Sequence, residues 1–414
     1  MNLTLNTQKI INDPIYGFVT IRHPLLYRLI EHHHFQRLRR IKQLGLTDYV
    51  YPGAHHTRFH HALGALHLMQ SAIDVLRSKG HIITEDEAIG ASVAILLHDI
   101  GHGPFSHALE KTIVNGYQHE QLSLMFMNEI NLELKGELDL AIQIFTNNYH
   151  KKFLYQLVSS QLDVDRLDYL NRDSFYTGVA EGTIGAERII KMLQIVDDEI
   201  VVEEKGIYSI EKFIIARRLM YWQVYLHKTV LSAENMLVKL LIRAKYLAVN
   251  NVHLPCNKAL RYFLYQFESD GKPSPTELLH HFSLLDDIDI WSAAKEWTQH
   301  DDFVLSSLSI DLLDRKLLRI SIQNQDFNKE TIENLRLKLT VDLKLTNDEM
   351  DYFIFSGTVE NSAYKSNEEQ IKILFKNGQV LDLKSASDQL GLPVMSKSVK
   401  KFFLCYPKSL GYIQ

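Results

Sequence analysis

Cysteine is scarce in this sequence. Cys256 and Cys405 are the two cysteines among 414 residues. Two cysteines are too few for a disulfide framework, and this pair does not have the spacing of a metal-binding motif. We therefore expect the protein to work in a reducing compartment.

Long apolar runs and export signals are also lacking. No apolar run approaches the ~20 residues that a helix needs to span a bilayer. The N-terminus has no basic start followed by an apolar stretch, so no secretory signal is evident. We expect a cytoplasmic protein that has no membrane partner. Internal repeats and low-complexity tracts are not apparent either.

No excess of one charge dominates the composition. The formal net charge is -5 at pH 7, so nothing favours nucleic-acid binding through bulk charge. Two basic segments, 37–40 and 397–401, leave nucleic acid as a weakly supported partner, because such runs usually form solvated surface. Apolar residues make up 46% of the chain, which is enough for a large core.

Apolar residues recur mostly at helical spacing. This pattern predicts helices at 24–30, 35–44, 58–79, 84–98, 119–145, 152–174, 185–195, 210–248 and within 257–320. Thr84 and Glu87 have the spacing of a capping box, and Ser274 and Thr276 are candidate helix caps. The sequence thus predicts a mainly α fold.

Strand signals are shorter and concentrate near the C-terminus. We predict a strand at 18–21, a small hairpin that pairs 199–202 with 206–208, and strands at 352–355, 371–375, 380–383 and 401–404. Asn377-Gly378 is a strong two-residue hairpin turn. These signals predict a smaller mixed α+β region at the C-terminal end.

Histidine and aspartate cluster at predicted helix ends. His61 lies near the start of one helix, His98 and Asp99 follow the apolar run 93–97, and the segment 163–169 has further carboxylates. A charge that ends an apolar run is costly to bury unless it is paired or bound to a metal. Imidazoles and carboxylates from separate helices suit a divalent metal that keeps open coordination positions.

The remaining ligand and the metal stay open at this point. Asp165 would complete a set of two His and two Asp, and Asp163 and Asp168 are alternatives by spacing. His102 could join the set if the helix continued past Gly101, which makes this doubtful. The mixed ligands suit Fe, Mn, Zn, Ni or Mg.

Arg58 precedes His61 by three residues and therefore shares its helical face. A guanidinium can make two parallel hydrogen bonds to a phosphate, although a surface salt bridge is the alternative for Arg58. A divalent ion lowers the pKa of bound water and polarises a phosphoryl oxygen. Together these groups predict phosphoester hydrolysis.

Several ordered segments resemble the HD-domain phosphohydrolase superfamily, and most closely its deoxynucleoside triphosphate (dNTP) triphosphohydrolase branch. The likeness covers 9–235 and includes 12–17, 35–39, 41–45, 51–54, 58–64, 98–107, 119–121 and 163–173. The resemblance implies an HD-domain helical bundle that hydrolyses dNTPs to deoxynucleoside and inorganic triphosphate.

The resemblance also implies roles for individual residues. His61, His98, Asp99 and Asp165 match the metal ligands of the family. The residues at the reacting phosphate match His102, His107, Glu110 and His119, with Glu110 where the family has Asp. The substrate contacts match Gln43, Arg58, Arg166, Tyr169, Asp173, Arg217 and Tyr225.

Within that substrate set, the three arginines match triphosphate contacts. Gln43 and Asp173 match residues that hold the 3′-OH of deoxyribose, and Tyr169 and Tyr225 match residues beside the sugar and base. For the two tyrosines, packing in the core is the alternative interpretation. Tyr221 stands where a family member has His, which puts the contacts there in doubt.

Relatives in this family often form oligomers with activating nucleotides at subunit contacts. The residues that match part of such a regulatory site are Lys9, Asn12, Glu31, Gln36 and Arg39, with Glu for Asp at position 31. An ordinary solvated helix face is the alternative for Glu31 and Arg39. We expect a homo-oligomer, a dimer or tetramer, that binds a nucleotide substrate.

The predicted domains are an HD phosphohydrolase domain at 1–250 with its core at about 50–175, a helical extension at 251–340 and an α+β region at 341–414. Two other functions remain as alternatives. One is an HD phosphatase or phosphodiesterase for another nucleotide, such as a monophosphate, cyclic or alarmone substrate. The other is a non-catalytic protein that senses nucleotides or binds nucleic acid.

Overall fold

A computed structural model describes residues 9–105, 112–267, 273–342, 345–361, 370–387 and 399–411. Helices make up most of these residues, which confirms the mainly α prediction. In chain order they are α1 Pro24–Glu31, α2 His33–Gln36, α3 Arg58–Ser78, α4 Glu85–Leu97, α5 His119–Glu133, α6 Asp139–Phe145, α7 Lys152–Val158, α8 Val164–Thr177, α9 Ala186–Lys191, α10 Ile207–Met220, α11 Lys228–Val249, α12 Lys258–Arg261, α13 Pro275–Ser283, α14 Asp287–Trp297, α15 Phe303–Leu313, α16 Lys329–Asp342, α17 Asn347–Met350 and α18 Leu383–Ala386.

The strands form three small sheets. They are β1 Lys9–Asp13, β2 Gly17–Ile21, β3 Leu193–Val196, β4 Glu199–Glu203, β5 Arg319–Gln323, β6 Phe355–Asn361, β7 Lys372–Leu374, β8 Val380–Asp382 and β9 Val399–Tyr406. β1 pairs with β2, the second sheet has the order β3-β4-β7-β8, and the third has the order β5-β9-β6. Within the described residues, no helix is both long and apolar enough to cross a membrane.

The helices α3 and α4 lie in the core and position the candidate site. The predicted capping box at the start of α4 is confirmed, because the Thr84 hydroxyl accepts from the Glu87 amide at 3.2 Å and the Glu87 carboxylate accepts from the Thr84 amide at 2.8 Å. α3 packs against both α4 and α8. The apolar face of α4 is buried at Val93, Ala94, Ile95, Leu96 and Leu97. The start of α3, the end of α4 and the start of α8 therefore meet.

The hairpin near residue 200 differs from its prediction. β4 pairs with β3 rather than with 206–208, and Ile207 begins α10. Asp197 and Asp198 connect the strands with positive φ angles of 51° and 61°, which two-residue hairpin turns require. The helix predicted at 185–195 ends at Lys191 for the same reason, since β3 follows it.

Three other predicted elements differ from expectation in their length or position. The helix predicted at 35–44 is a single α-helical turn, α2, followed by a 3₁₀ segment at Arg37–Arg40. The strand predicted at 352–355 begins only at Phe355. The 119–145 segment is divided into α5 and α6 where Lys135 and Gly136 take positive φ. Ser274 caps α13 as predicted, by accepting from the Glu277 amide at 3.2 Å.

The C-terminal region joins the earlier part of the chain through the second sheet. β7 pairs in parallel with β4, which places Ile373 beside Val202. The predicted Asn377-Gly378 turn then leads into β8, with Gly378 at φ 85°. The domain boundaries near 250 and 340 stay a prediction.

Candidate active site

His61 lies on the second turn of α3 and is fully buried. Its Nδ1 lies 2.8 Å from Asp168 Oδ2, and since a carboxylate only accepts, Nδ1 donates and Nε2 is the nitrogen that can bind a metal. Nε2 lies 3.1 Å from Asp165 Oδ1 and 3.4 Å from His98 Nε2. The imidazole is therefore oriented with a metal-binding nitrogen toward the neighbouring ligands.

His98 ends α4, as its place after the apolar run predicted. Its Nδ1 donates to the backbone oxygen of Ile95 at 2.6 Å, which also makes Nε2 the nitrogen that can bind a metal. His98 Nε2 lies 3.3 Å from Asp99 Oδ1 and 3.5 Å from Asp165 Oδ1. Both aspartates therefore face the same ring nitrogen.

Three carboxylates of α8 and its cap have different partners. Asp163 caps the helix and accepts from the amides of Ser160 and Arg166 at 2.8 Å each. Asp168 accepts from Nδ1 of His61, the ring nitrogen that faces away from the cluster. Asp165 is the one whose oxygen approaches both imidazole Nε2 atoms. The geometry therefore favours Asp165 over the two alternatives.

This cluster fits a divalent metal by the chemistry of its donors. One ligand atom from each of His61, His98 and Asp99 lies within 4.8 Å of the others. Burial lowers the pKa of His61, but hydrogen bonds with Asp165 and Asp168 outweigh burial and raise that pKa to about 10. The carboxylates thus favour positive charge at the point where the ligand atoms converge, as a metal ion would supply.

On one side of the cluster lie Arg58 and two stacked imidazoles. Arg58 Nη1 donates to Asp99 Oδ2 at 2.6 Å. His102 Nε2 lies 3.3 Å from Asp99 Oδ1, and its ring stacks on His119 with centroids 4.0 Å apart. Burial, followed by the charge of Arg58, lowers the pKa of His102 to about 3. Of the predicted catalytic residues, the structure places His102 beside Asp99 and His119 against the His102 ring.

Two tyrosines and two further arginines lie near one another beside the cluster. Burial raises the pKa of Tyr169, and the nearby charges of Arg217 and Arg166 oppose that rise. The Tyr169 and Tyr225 rings lie edge to face, with centroids 6.2 Å apart. The Arg217 guanidinium lies 5.9 Å from the centre of the Tyr221 ring. Tyr221 is the residue that stands where a family member has His. The predicted triphosphate and base contacts are therefore neighbours.

The predicted sugar contacts are linked through a histidine. Asp173 is buried and lies 2.7 Å from both His56 Nε2 and the Tyr225 hydroxyl. Gln43 donates its backbone N–H to the His56 backbone oxygen at 3.0 Å. The Gln43 side-chain oxygen is buried and has no hydrogen-bond partner within the described part of the chain.

The remaining predicted residues are only partly brought together. His107 and Glu110 lie outside the described residues. Among the predicted regulatory residues, Arg39 donates to Gln36 at 2.8 Å. Lys9 lies over the Tyr27 ring at 5.2 Å. Asn12 lies in β1, and Glu31 is exposed at the end of α1.

Two residues that orient this site were missed by sequence reasoning. Arg172 is fully buried and bonds Asp168 through Nε and Nη2 at 2.9 Å each, and Asp13 through Nη1 at 2.8 Å. His56 joins Asp173 to the Gln43 backbone. The spacing of Asp168 and Arg172, four residues apart on α8, was the available signal for the first.

Family models match most of this region. The HD domain model matches residues 58–173, and the HD associated region model matches residues 184–252. The protein YwfO of Bacillus subtilis is 33% identical over 426 aligned residues, which cover 99% of this chain and 94% of that protein. A metal-binding hydrolase is the class that this fold and site define. The chain belongs to the HD-domain phosphohydrolase superfamily.

One solved structure and one characterised relative add detail. A phosphohydrolase from Bacteroides thetaiotaomicron matches with a TM-score of 0.92 and 51% identity, covering 96% of this chain and 99% of that one. The human deoxynucleoside triphosphate triphosphohydrolase SAMHD1 is 31% identical over 288 residues, which cover 59% of this chain and 46% of that protein. The chain therefore matches about half of the length of this named dNTP hydrolase.

Proposed function

We propose that the protein hydrolyses a dNTP at the α-phosphorus and releases deoxynucleoside and inorganic triphosphate. The main support is that the four predicted ligand side chains converge and that Arg58 donates a hydrogen bond to one of them, Asp99. Similarity to human SAMHD1 supports the choice of substrate class.

His61, His98, Asp99 and Asp165 would hold the divalent metal, which we propose to be Fe, Mn, Zn, Ni or Mg. When bound, such an ion polarises a phosphoryl oxygen and lowers the pKa of water. The chain prepares its imidazoles for this role, because Asp168 and the Ile95 carbonyl fix both tautomers. The site is therefore arranged before substrate binds.

The arginines would bind the triphosphate. Arg58, Arg166 and Arg217 are charged groups around the cluster and Tyr169, and their guanidinium groups can spread contact over several phosphate oxygens. In the reaction, a bond forms between the water oxygen and the α-phosphorus, and the bond to the 5′ oxygen breaks. That oxygen takes up a proton, for which His107 is the proposed donor. His102 and His119 would contact the reacting phosphate.

Gln43 and Asp173 would bind the 3′-OH of the sugar. The unpartnered, buried oxygen of Gln43 can accept a hydrogen bond from a hydroxyl. Asp173 accepts from His56 and Tyr225, which leaves acceptor capacity on its carboxylate because the two oxygens have about four lone-pair sites. A close-fitting pocket of this kind would reject a ribose whose 2′-OH finds neither space nor a partner.

Product analysis tests this proposal. The purified chain is incubated with each dNTP, each ribonucleotide and Mn²⁺ or Mg²⁺, and the products are separated by ion-exchange chromatography. We expect deoxynucleoside and triphosphate in equal amounts, and loss of both in Asp99→Ala. The control Asp86→Ala removes an exposed aspartate at the start of α4, the helix that ends just before Asp99, and should retain activity.

Other products would contradict the proposal. Release of orthophosphate or pyrophosphate from dNTPs would refute cleavage of the bond between the α-phosphorus and the 5′ oxygen. Turnover of a monophosphate or cyclic nucleotide alone would support the HD phosphatase or phosphodiesterase alternative. Nucleotide or nucleic-acid binding without turnover under any metal would support the non-catalytic alternative.

The same proposal includes a cytoplasmic homo-oligomer that an activating nucleotide regulates. Its support is limited to the family resemblance at Lys9, Asn12, Glu31, Gln36 and Arg39 and to the contact between Gln36 and Arg39. Sedimentation with and without a second nucleotide tests it. A monomer under both conditions, together with hydrolysis that shows no lag and no stimulation, would exclude this regulation.

A further inference from the structure

A second group of imidazoles lies at the turn between α1 and α2, apart from the active site. His32, His33 and His34 each offer one ring nitrogen, and these atoms lie within 4.8 Å of one another. We propose that these three histidines, with Glu129 and Glu133 of α5, bind a divalent transition-metal ion such as Zn²⁺. None of the five belongs to the predicted catalytic or regulatory residues.

The backbone explains how three consecutive side chains converge. His32 is extended, with φ -64° and ψ 136°, and caps α2, while His33 and His34 form the first turn of that helix. The change from extended to helical backbone brings the rings together, with centroids 4.5 Å apart for His32 and His33 and 3.9 Å apart for His33 and His34. Consecutive residues within one regular helix would instead project about 100° apart.

Two carboxylates from α5 face this group. His32 Nε2 lies 3.1 Å from Glu133 Oε2, and His34 Nε2 lies 3.8 Å from Glu129 Oε1. Imidazole nitrogens and carboxylate oxygens are the ligand types of zinc sites, which have four ligands at about 2.0–2.2 Å. Four of these five donors would therefore complete a tetrahedral site.

Unpartnered buried atoms independently indicate a missing ligand. His34 is only 3% exposed, and its Nδ1 has no hydrogen-bond partner. Glu129 Oε2 is also buried without a partner. Buried polar atoms are normally satisfied, so two such atoms on facing side chains need an explanation, and an ion is one that both can share.

An ion here would join two elements that border the active site. α5 begins at His119, which stacks on His102. α2 leads directly into Arg37, whose Nη2 donates to the backbone oxygens of Ile100 and His102 at 2.8 and 2.9 Å. The second ion would therefore hold the α1–α2 turn against α5 and stabilise the loop that follows Asp99.

Zinc binding to the full chain tests this site without relying on activity. The double variant His33→Ala/Glu133→Gln removes two exposed ligands and leaves the buried His34 in place. Zn²⁺ is titrated against a chromophoric chelator, and the bound metal is counted by mass spectrometry. We expect wild type to bind two equivalents and the double variant to lose one, or to bind it at least ~10-fold more weakly.

Two controls separate this site from the catalytic one. His253→Ala removes an exposed histidine outside both His-containing clusters and should bind zinc like wild type. Asp99→Ala should lose the other equivalent and keep this one, which also separates failure of this inference from failure of the proposed hydrolase. Equal stoichiometry and affinity in wild type and the double variant would overturn the assignment. Visible absorption bands of bound Co²⁺ that are unchanged in the double variant would do the same.

Discussion

Gly64 of α3 provides a sharp test of how the candidate metal-binding cluster is supported. A Cβ atom at this position would lie 2.0 Å from Asp168 Oδ1 and 2.2 Å from Arg172 Nη2. Helix propensity alone predicts that Gly64→Ala stabilises the protein by about 0.5–1 kcal/mol. We predict the opposite sign, because the methyl group must displace a buried ion pair.

The magnitude follows from the burial of that pair. Asp168 and Arg172 are both fully buried, and Arg172 has Asp13 as its other carboxylate partner. Breaking a buried pair costs about 3–5 kcal/mol, and the propensity gain offsets about 1 kcal/mol of this. Gly64→Ala should therefore lower the free energy of unfolding by about 2–4 kcal/mol. Because Asp168 also orients His61, metal affinity should fall about 10–100-fold.

Urea denaturation and metal titration measure both effects. Gly90→Ala is the matched control, since a Cβ there meets Leu140 Cγ at 2.9 Å and Ile144 Cδ1 at 3.2 Å but no ion pair. It strains packing, yet it should leave metal affinity unchanged. A Gly64→Ala protein that is more stable than wild type, with unchanged metal affinity, would refute this account of the cluster's support.

Three further predictions concern the sugar contact, pH and the metal. Tyr225→Phe removes the hydroxyl that donates to Asp173 at 2.7 Å and should lower the free energy of unfolding in urea by about 1.5–3 kcal/mol. A decrease of less than about 0.5 kcal/mol would argue that this hydrogen bond is unimportant. Burial raises the pKa of Glu87, but hydrogen bonds led by that from Lys151 outweigh it and leave the pKa lowered. The ionised Glu87 carboxylate therefore stabilises the fold above the unfolded pKa of about 4.3, and this stabilisation is lost as pH falls below that value. The difference in unfolding free energy between wild type and Glu87→Gln should therefore shrink from pH 7 to pH 3. A constant difference would contradict this. Chelation should lower the Tm of wild type more than that of Asp165→Asn, because only the native carboxylate set retains the ion at His61; equal shifts in both proteins would contradict this.

His98 and Asp99 were predictable as candidate metal ligands because their signal is local. The apolar run 93–97 ends at His98, and the helix ends there as well. The choice of Asp165 over Asp163 and Asp168 was not local, since it depends on which carboxylate caps α8 and which one meets Arg172. Spacing along one helix cannot decide that, because all three positions are compatible with a ligand until the neighbouring helices are placed.

Turn chemistry explains where the secondary-structure predictions failed. Asp197 and Asp198 separate two apolar segments and form the hairpin turn between β3 and β4. The preferred residues for such turns are Asn and Gly, so an Asp pair gives a weaker signal. The pairing of β4 with β7 joins segments about 170 residues apart, and short-range patterns contain no information about such a contact.

The supporting residues also show why the ligand set alone does not define this site. His61 and His98 present Nε2 to the cluster only because Asp168 and the Ile95 carbonyl accept from Nδ1. One of these acceptors is backbone and is fixed by the end of α4 itself. The other is a side chain held by Arg172, which in turn reaches Asp13 of β1. Disruption of the N-terminal hairpin should therefore affect His61 more than His98, although neither histidine contacts β1 directly through a hydrogen bond within the described residues.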